Sequence, residues 1–311
     1  MKRLPIIITS AGLLAAACGT APAGSLGPAP TGTARPSSSA SPPVVRPAST
    51  AQSPSGQRPG TSQPPSPPSA SLGSARKIGL QVWFSRHGKL FVTGRAVPAT
   101  TGVGRAALDR LLAGPSAAEH GAGLRSQIPA GTTLLGLRIS AGTATVDLSS
   151  SFESAASPPA MPLRIAQVVY TLTQFPAVTG VRFEINGQGV TVIGGVPVQS
   201  PQTRAMDSGY LPAITVQTPV IGEQVTSPVT VSGTADVFEA VVSVRLLDSD
   251  GNEIARTFTT ATCGTGCRGD YSVAVSYSVP PAEPGTIEVF ESSAKTGLPV
   301  NVQLIPVTLA P

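Results

Sequence analysis

The chain has 311 residues, of which 12% are charged and 4% are aromatic, and it carries a net charge of +5 at pH 7. It contains three cysteines and only two histidines, His87 and His120, which lie far from the cysteines in the sequence. A structural zinc site needs about four ligands, so this composition argues against one.

The first residues have the pattern of an export signal. Lys2 and Arg3 precede an apolar stretch, residues 4–17, which ends in three alanines before Cys18. A membrane-spanning helix takes about 20 residues, so the shorter stretch predicts a secretory signal peptide over residues 1–17. A cysteine directly after small residues resembles a bacterial lipobox, although Leu14 stands one place further from the cysteine than is usual.

That resemblance implies that Cys18 receives a diacylglycerol and becomes the first residue of the mature protein. The protein would then be anchored by lipid to the outer face of the cell membrane. A plain secreted protein with one spare cysteine is the alternative, but an unpaired thiol in an oxidising compartment would itself need an explanation.

Residues 18–75 are predicted to be a tether that begins with the lipidated cysteine. Residues 19–75 contain 13 prolines, no acidic residue and no aromatic residue. Such a segment buries too little apolar surface to offset its ordering entropy, so it is predicted to be disordered. Its length predicts a coil of about 40 Å and a fully extended reach of about 180 Å, which suits a spacer that holds a domain away from a membrane.

Residues 76–196 are predicted to form an α+β domain of order ββαββαββ. The runs "IGLQVWF" and "LFVTGRAV" predict two strands joined by the turn "SRHGK", and "GVGRAALDRLLAGP" has the apolar spacing of a helix. A hairpin follows in "TTLLGLRIS" and "TATVDLS", then a helix in "MPLRIAQVVYTLTQF", and a closing hairpin in "VTGVRFEI" and "GVTVI". The helix stripe Ile165, Val168, Val169 and Leu172 is expected in the core, together with Trp83, Phe84 and Phe91.

Residues 197–211 read as a linker, and residues 212–311 as an all-β domain. Seven short alternating runs separated by turn residues occur from Ala213 onward, without a helical period. This pattern predicts an immunoglobulin-like β-sandwich. The cysteine–tryptophan–cysteine core of antibody domains is missing, because the only tryptophan is Trp83.

Long stretches of both domains resemble known bacterial domains. The runs "RLLAGP", "IPAGTTLLGLRI", "TATVDLSSSF" and "AQVVYTLTQFPAVTGVRFEINGQ" resemble the GerMN domain, which is named for bacterial spore-germination proteins. The runs "ITVQTPVIGEQVTSPVTVSGTADVFEAVVSVRLLDSDGNEI" and "EVFESSAKTGLP" are similar to the immunoglobulin-like domain that accompanies GerMN domains in bacterial lipoproteins. The resemblance covers residues 78–308 and implies an envelope lipoprotein that acts by binding, as an assembly factor, an accessory factor or a factor related to sporulation or germination. It does not imply an enzyme.

Cys263 and Cys267 are predicted to form a local disulfide. If Cys18 carries lipid, these two remain as a pair outside the cytoplasm, and a disulfide requires Cα atoms within about 7 Å. Gly264 and Gly266 allow the chain to fold back over so short a distance. A thioredoxin-type pair would need two intervening residues and the start of a helix, whereas three residues and a glycine-rich turn are present.

Two other motifs overlap this loop. The glycines of "GTGCRG" fit the spacing of a dinucleotide-binding turn, but an alternating strand follows where that motif requires a helix. Residues 268–270 spell an Arg-Gly-Asp adhesion tripeptide, which is too short to be specific. We therefore expect neither motif to be functional.

Catalytic and metal-binding patterns are weak throughout. "SARK" and "KTG" match two penicillin-binding signatures without the structural context of that chemistry, and "DSDGNE" fits a hairpin turn better than a calcium loop. The candidate carboxylates of the first domain are Asp109, Asp147, Glu153 and Glu184, and their spacing does not pair them. The sequence therefore predicts a protein without catalytic residues, metal or cofactor; the alternative is a hydrolase acting on the cell wall, or a cofactor of one.

Charge is divided unevenly between the two domains. Residues 76–200 contain 11 Lys or Arg against 5 Asp or Glu, whereas residues 201–311 contain 5 against 11. This division predicts either that the domains dock on each other or that the basic domain meets an envelope protein, anionic lipid or anionic wall polymer. The predicted contact residues are Arg105, Arg110 and Arg125, and Arg138 and Arg182 are expected on the polar face of the sheet. The export signal, rather than the charge, argues against nucleic acid as a partner.

Overall fold

The computed structural model describes residues 76–154 and 160–311. The predicted signal peptide, Cys18 and the tether lie outside the described residues. All the described residues fall within one structural unit, in which an α+β domain precedes a β-sandwich. None of the helices in the described ranges is long and apolar enough to cross a membrane.

The α+β domain begins with a long antiparallel hairpin. Strands β1 (Lys77–Arg86) and β2 (Lys89–Pro98) pair along their whole length. The turn residues His87 and Gly88 have φ values of 51° and 72°, as a two-residue turn with the twist of paired strands requires. Because side chains alternate along a strand, the turn holds Arg86 and Lys89 directly opposite each other at the tip of the hairpin.

A four-stranded sheet forms the other layer of this domain. Its strands are β3 (Leu134–Ser140), β4 (Thr143–Leu148), β5 (Gly180–Ile185) and β6 (Gln188–Gly189), in that spatial order. Strands β4 and β5 are parallel, so the chain must cross over between them. A short pair, β7 (Val192–Ile193) and β8 (Val196–Pro197), follows.

Three helices accompany these strands. Helices α1 (Val103–Leu112) and α3 (Ala160–Leu172) both pack on β1 and on each other. The predicted helix stripe and the predicted aromatic residues are buried, as apolar periodicity indicated. Helix α2 (Ala117–Gly121) was not predicted. It holds His120 on its exposed side and begins with a capping box formed by Ser116 and Glu119.

The second domain is a β-sandwich of two sheets. Its strands are β9 (Ile214–Thr218), β10 (Gln224–Val225), β11 (Val229–Ala235), β12 (Val241–Leu247), β13 (Glu253–Thr260), β14 (Gly269–Val275), β15 (Glu283–Ser292) and β16 (Pro299–Leu309). One sheet has the order β10-β16-β15-β12-β13, and the other has the order β14-β11-β9. All seven predicted runs are strands, and only the two-residue β10 is additional. The predicted fold class is therefore confirmed for both domains.

Buried apolar side chains of the two domains belong to one contiguous cluster, which runs from Val82 to Leu309. Strand β2 packs against β9. Near this contact a side chain on Gly94 would approach a methyl carbon of Val220, which follows β9, to 3.2 Å, so the absence of a side chain lets this segment come close to β2. The domains therefore dock through apolar surface.

Candidate functional site between the two domains

The segment that connects the domains is held against the first domain by Arg204. Its guanidinium donates to Thr173 Oγ1 at 2.6 Å and to the Tyr170 carbonyl oxygen at 2.9 Å. It also lies 4.7 Å from the centre of the Tyr170 ring. These carbonyl and hydroxyl groups lie at the C-terminal end of α3, where the helix dipole favours a cation. Residues 197–211, predicted as a linker, are thus anchored at this point.

A buried carboxyl group lies in the same segment. Asp207 is 4% exposed, and its Oδ1 accepts a hydrogen bond of 3.0 Å from Gln202 Nε2. Its Oδ2 is buried without a hydrogen-bond partner among the described residues. Burial raises the pKa of Asp207 to about 6, although the bond from Gln202 acts in the opposite direction. The negative charge of Asp207 is therefore poorly solvated near neutral pH.

Arg86 joins the tip of the first hairpin to the last strand of the sandwich. Its Nη1 donates to the Leu304 carbonyl oxygen at 2.9 Å, and its Nη2 donates to Gln303 Oε1 at 2.8 Å. The guanidinium also lies 4.3 Å from the centre of the Phe91 ring, and its burial lowers the pKa of Arg86. Next to it, Lys89 Nζ donates to the Gly209 carbonyl oxygen at 2.7 Å.

Ion pairs do not contribute to this docking. Within the described ranges, the ion pairs are Arg95–Glu119, Arg138–Glu184, Arg245–Glu253, Arg245–Glu288 and Arg256–Glu253. Each joins two residues of the same domain. The opposite charges of the two domains therefore do not meet as ion pairs among the described residues at this contact.

A cleft of about 730 Å³ opens beside Arg86. Its walls are the tip of the first hairpin, the end of α2, the connecting segment and the middle of β16. The basic side chains that line it are Arg86, His87 and Lys89, and neither Asp nor Glu is among the described lining residues. Its apolar walls are formed by Leu90, Phe91, Ala122, Leu211, Pro212, Ala213, Val302, Leu304 and Pro306. Clefts of this size between domains are common ligand sites.

The strand beside the cleft exposes an unusual number of apolar side chains. The described residues include ten exposed large apolar side chains, and four of them are Leu298, Val300, Val302 and Leu304. Strand β10 pairs only with Thr308 and Leu309, so no described strand is hydrogen-bonded to the preceding part of β16 on that side, although β9 approaches β16. Of these four side chains, Val302 and Leu304 line the cleft, next to this open edge of β16.

The three arginines predicted to contact a partner lie on two different parts of the chain, helix α1 and the segment after α2. Arg105 and Arg110 are exposed on α1, but a separation of five residues places them about 140° apart around the helix axis. Arg125 donates from Nη1 to the carbonyl oxygens of His120 and Leu124, both at 2.8 Å. Arg125 therefore stabilises the end of α2, and the structure does not bring the three arginines together on one helix face.

A second basic surface lies on the four-stranded sheet, as expected for Arg138 and Arg182. Both residues are cross-strand neighbours of Thr145 and line a shallow hollow of about 330 Å³. Arg138 is paired with Glu184 at 3.1 Å, and Arg182 donates to Ser200 Oγ at 3.0 Å. Both cations therefore already have partners within the protein.

The sheet also brings two of the candidate carboxylates together. Asp147 and Glu184 are direct neighbours on the parallel strands β4 and β5, a pairing that their sequence spacing did not predict. Asp147 Oδ1 accepts a hydrogen bond of 2.9 Å from the Gly187 amide, and Glu184 is bound to Arg138. Both carboxylates are engaged in structural contacts on an outer sheet face, so the geometry does not assign them an acid–base role.

The cysteine loop lies between β13 and β14. The Cα atoms of Cys263 and Cys267 are 5.7 Å apart, and their sulfur atoms are at disulfide distance. Arg268, the first residue of the adhesion tripeptide, donates to the Pro212 carbonyl oxygen at 2.6 Å. Its side chain is therefore engaged within the protein.

The "DSDGNE" segment forms a hairpin turn. Asp248 accepts hydrogen bonds from the amides of Asp250 and Asn252, as expected for such a turn.

Among the described residues, no group of three or more His, Cys, Asp or Glu side chains could hold a metal ion. The cleft instead provides hydrogen-bond donors, apolar walls and an open strand. Sequence analysis recognised the "SRHGK" turn but not the cleft. The two basic residues that flank this turn, Arg86 and Lys89, were the available signal.

Comparison with known proteins places both domains in described families. Residues 81–191 match Germane, the family described as sporulation and spore germination. Residues 213–298 match Gmad2, the immunoglobulin-like domain of bacterial spore germination. No curated protein is a significant match to the chain.

Two similar solved structures come from Bacillus subtilis. The tandem GerMN domains of the sporulation protein GerM align with 75% of this chain at 16% identity and a TM-score of 0.39. The chain spans 61% of the length of that structure. The first GerMN domain of GerM alone aligns with 41% of this chain, and 98% of its own length is covered, at 22% identity and a TM-score of 0.34.

Proposed function

The chain is a GerMN-type protein with the immunoglobulin-like domain of bacterial spore germination, and on this basis we propose that it acts without catalysis, by binding a partner in the cell envelope. The binding site is the cleft between the two domains. The first domain supplies the basic side chains, and the sandwich supplies the apolar strand and fixes its position.

The cleft carries this proposal. It combines donors from Arg86, His87 and Lys89 with apolar walls from both domains, which is the composition of a recognition site. Arg86 is already fixed by its bonds to β16, so little side-chain entropy is lost when a ligand binds there.

The position of the protein in the envelope follows from the N-terminal sequence. We place the mature N-terminus at lipidated Cys18, behind the signal peptide of residues 1–17. The tether of residues 18–75 then gives the domains reach away from the membrane, which a binding protein needs in order to meet partners embedded in or bound to the envelope.

Electrostatic attraction supports the same role. The basic domain attracts an anionic partner over about 10 Å at 0.1 M salt, and the ion pairs within the described residues do not neutralise it from the sandwich. Arg105 and Arg110 are exposed and add to this field. An anionic wall polymer held by these residues is the second candidate, favoured by their exposure alone.

A photo-crosslinking residue tests the proposal. Placed at position 304 in the cleft, it should capture an envelope partner from detergent-solubilised membranes, whereas the same residue at the exposed position 258, on β13, should not. Lys89→Glu should reduce capture, and Lys77→Glu, at the opposite end of the hairpin, should not. Equal capture from both positions, or capture insensitive to Lys89→Glu, would contradict a site in the cleft. Hydrolysis of a wall fragment by the purified, metal-free protein would contradict the non-catalytic role.

A further inference from the structure

We propose that the occupant of the cleft is an extended, acidic peptide segment of a partner protein that lies along the open side of β16. This inference rests on the proposed function and adds the chemistry of the partner. It is carried by three features of the cleft: its apolar strand, its open side and its charge.

The apolar strand determines the shape of the ligand. Val302 and Leu304 are 38% and 46% exposed, Pro306 is also exposed, and these three residues alternate along β16 and line the cleft. Alternate residues of an extended chain are about 7 Å apart, so a peptide in the same conformation can place an apolar side chain beside each of them. A compact ligand would cover only one or two of these positions, which span about 14 Å.

The open side of the strand is the position at which the peptide would lie. On this side the Leu304 carbonyl accepts a hydrogen bond from Arg86 and the Pro306 carbonyl accepts one from the Gly222 amide, while the Thr308 and Ala310 amides donate to the segment of β10. Between Pro299 and Gln303, no strand among the described residues is hydrogen-bonded to this edge. Native proteins normally protect an exposed apolar edge, because it attracts other extended chains, and extended peptides commonly bind at such edges.

Charge determines the composition of the peptide. Arg86, His87 and Lys89 line one side of the cleft, and none of its described lining residues is acidic. Arg86 uses two of its five donors on the sandwich, and Lys89 is exposed. A carboxylate on the peptide can therefore accept hydrogen bonds from both Arg86 and Lys89.

Two other occupants fit the charge less well. A second copy of the chain would bring the same basic hairpin against the first, and like charges that meet at an interface oppose association. The tether of this chain contains three arginines and no acidic residue, so it does not complement a basic cleft. An acidic segment of a different protein complements the basic cleft and brings no like charge against it.

Synthetic peptides of about eight residues, enough to follow the apolar stretch, provide the probe. Three fluorescein-labelled peptides are compared with the complete mature protein by fluorescence anisotropy: alternating Glu and Val, alternating Lys and Val, and alternating Glu and Ser. The Glu–Val peptide should bind saturably and more weakly as salt rises. The Glu–Ser peptide should bind about tenfold more weakly because it lacks apolar contacts, and the Lys–Val peptide should not bind.

Matched variants locate the site. Lys89→Glu and Val302→Ser should each weaken binding of the Glu–Val peptide by about five- to tenfold. Lys77→Glu reverses an equally exposed charge away from the cleft, and Val192→Ser removes another exposed apolar side chain. Both controls should bind as the wild type does, and thermal unfolding should establish that all four variants fold.

Several results would overturn the inference. Equal binding of the Glu–Val and Lys–Val peptides would remove the electrostatic component. Stronger cleft-dependent binding of anionic phosphatidylglycerol vesicles would identify a lipid surface instead, and a concentration-dependent dimer lost in Val302→Ser would identify a second copy. If no peptide binds but crosslinking from position 304 still depends on Lys89, the acidic-peptide inference is wrong while the proposed function stands. If crosslinking fails as well, both are wrong.

Discussion

Arg86 and Leu304 are separated by 218 positions in the sequence, and the guanidinium of the first donates a hydrogen bond of 2.9 Å to the carbonyl oxygen of the second. This bond crosses from the first hairpin to the last strand of the sandwich. The same guanidinium also bonds Gln303. The orientation of the two domains is thus coupled to one side chain, which also lines the cleft.

We expect Arg86→Gln to loosen the contact between the domains. Loss of the charged donors should lower the free energy of unfolding by about 1–2 kcal/mol. Calorimetry should show a single transition for the wild type and a broadened or divided transition for Arg86→Gln. Arg138→Gln removes a side chain that is 72% exposed and should change stability by less than about 0.5 kcal/mol. An unchanged transition in Arg86→Gln would mean that apolar docking alone couples the domains.

We expect Glu119→Gln to destabilise the first domain by about 2–4 kcal/mol, because it leaves Arg95 without its buried partner. Glu119 is 2% exposed and accepts hydrogen bonds from Arg95, Thr93 and the Ser116 amide. Burial raises the pKa of Glu119, but the bonds from Arg95, Thr93 and Ser116 outweigh it, and the net pKa is lowered.

The lowered pKa also sets the pH dependence. The stabilisation from Glu119 is present above its unfolded pKa and is lost as the pH falls through its folded pKa. Urea unfolding between pH 7 and pH 3 should therefore show wild type and Glu119→Gln converging at low pH. Ser116→Ala, which removes only the helix cap, should cost about 1 kcal/mol. A constant difference across this pH range would contradict the assignment.

Asp207→Asn should have the opposite pH dependence. Burial raises the pKa of Asp207 from 3.8 to about 6, so the ionised carboxylate destabilises the fold above pH 6, and stability is gained as the pH falls through 6 towards 3.8. The asparagine variant should be more stable than wild type at pH 8 by about 1–2 kcal/mol and should lose this advantage by pH 4. Chemical unfolding at these two pH values tests the prediction, and equal differences at both would refute it.

Cys263 and Cys267 are predicted to form a disulfide that closes a loop between β13 and β14. Intact mass should increase by two hydrogens on reduction, and Cys263→Ser with Cys267→Ser should cost about 2 kcal/mol because the closed loop is short. Partner capture should survive this change, since the loop is not part of the cleft lining. Free alkylation of both thiols in protein isolated from the envelope would exclude the disulfide.

Cys18→Ala should release the protein from the membrane or block its processing. The prediction rests on the charged residues, the apolar stretch and the alanines that precede the thiol. Membrane fractionation with N-terminal analysis of the mature protein provides the measurement. A variant that remains in the membrane fraction and is cleaved at the same position would exclude the lipid anchor.

The sequence predicted most helices and strands because burial of one face gives each of them a regular spacing of apolar residues. Helices α1 and α3 and the seven main strands of the sandwich lie where the sequence indicated. Helix α2 was missed because five residues contain too few apolar positions for a helical period. The S-x-x-E spacing of Ser116 and Glu119 was its available signal.

The cleft could not be predicted from the sequence, and the reason is different. It depends on the docking of two domains through residues such as Arg86 and Leu304, and no local period relates positions so far apart. The predicted role of Arg125 illustrates the same limit, because its bonds to the carbonyls of α2 depend on a helix that the pattern did not reveal. That a charged side chain is exposed can be expected from its residue type, whereas the group to which it hydrogen-bonds depends on the tertiary fold.

The packing of Trp83 gives the molecule an optical reporter of its own. Trp83 is the only tryptophan of the chain and is 3% exposed. It lies against the connecting residues Tyr210 and Leu211, with the Arg204 guanidinium 5.7 Å from its ring. Undocking of this segment would bring water to the indole, and tryptophan emission would shift to longer wavelength without any attached dye. One fluorescence titration can therefore follow whether ligands, salt or acid loosen the connection between the domains.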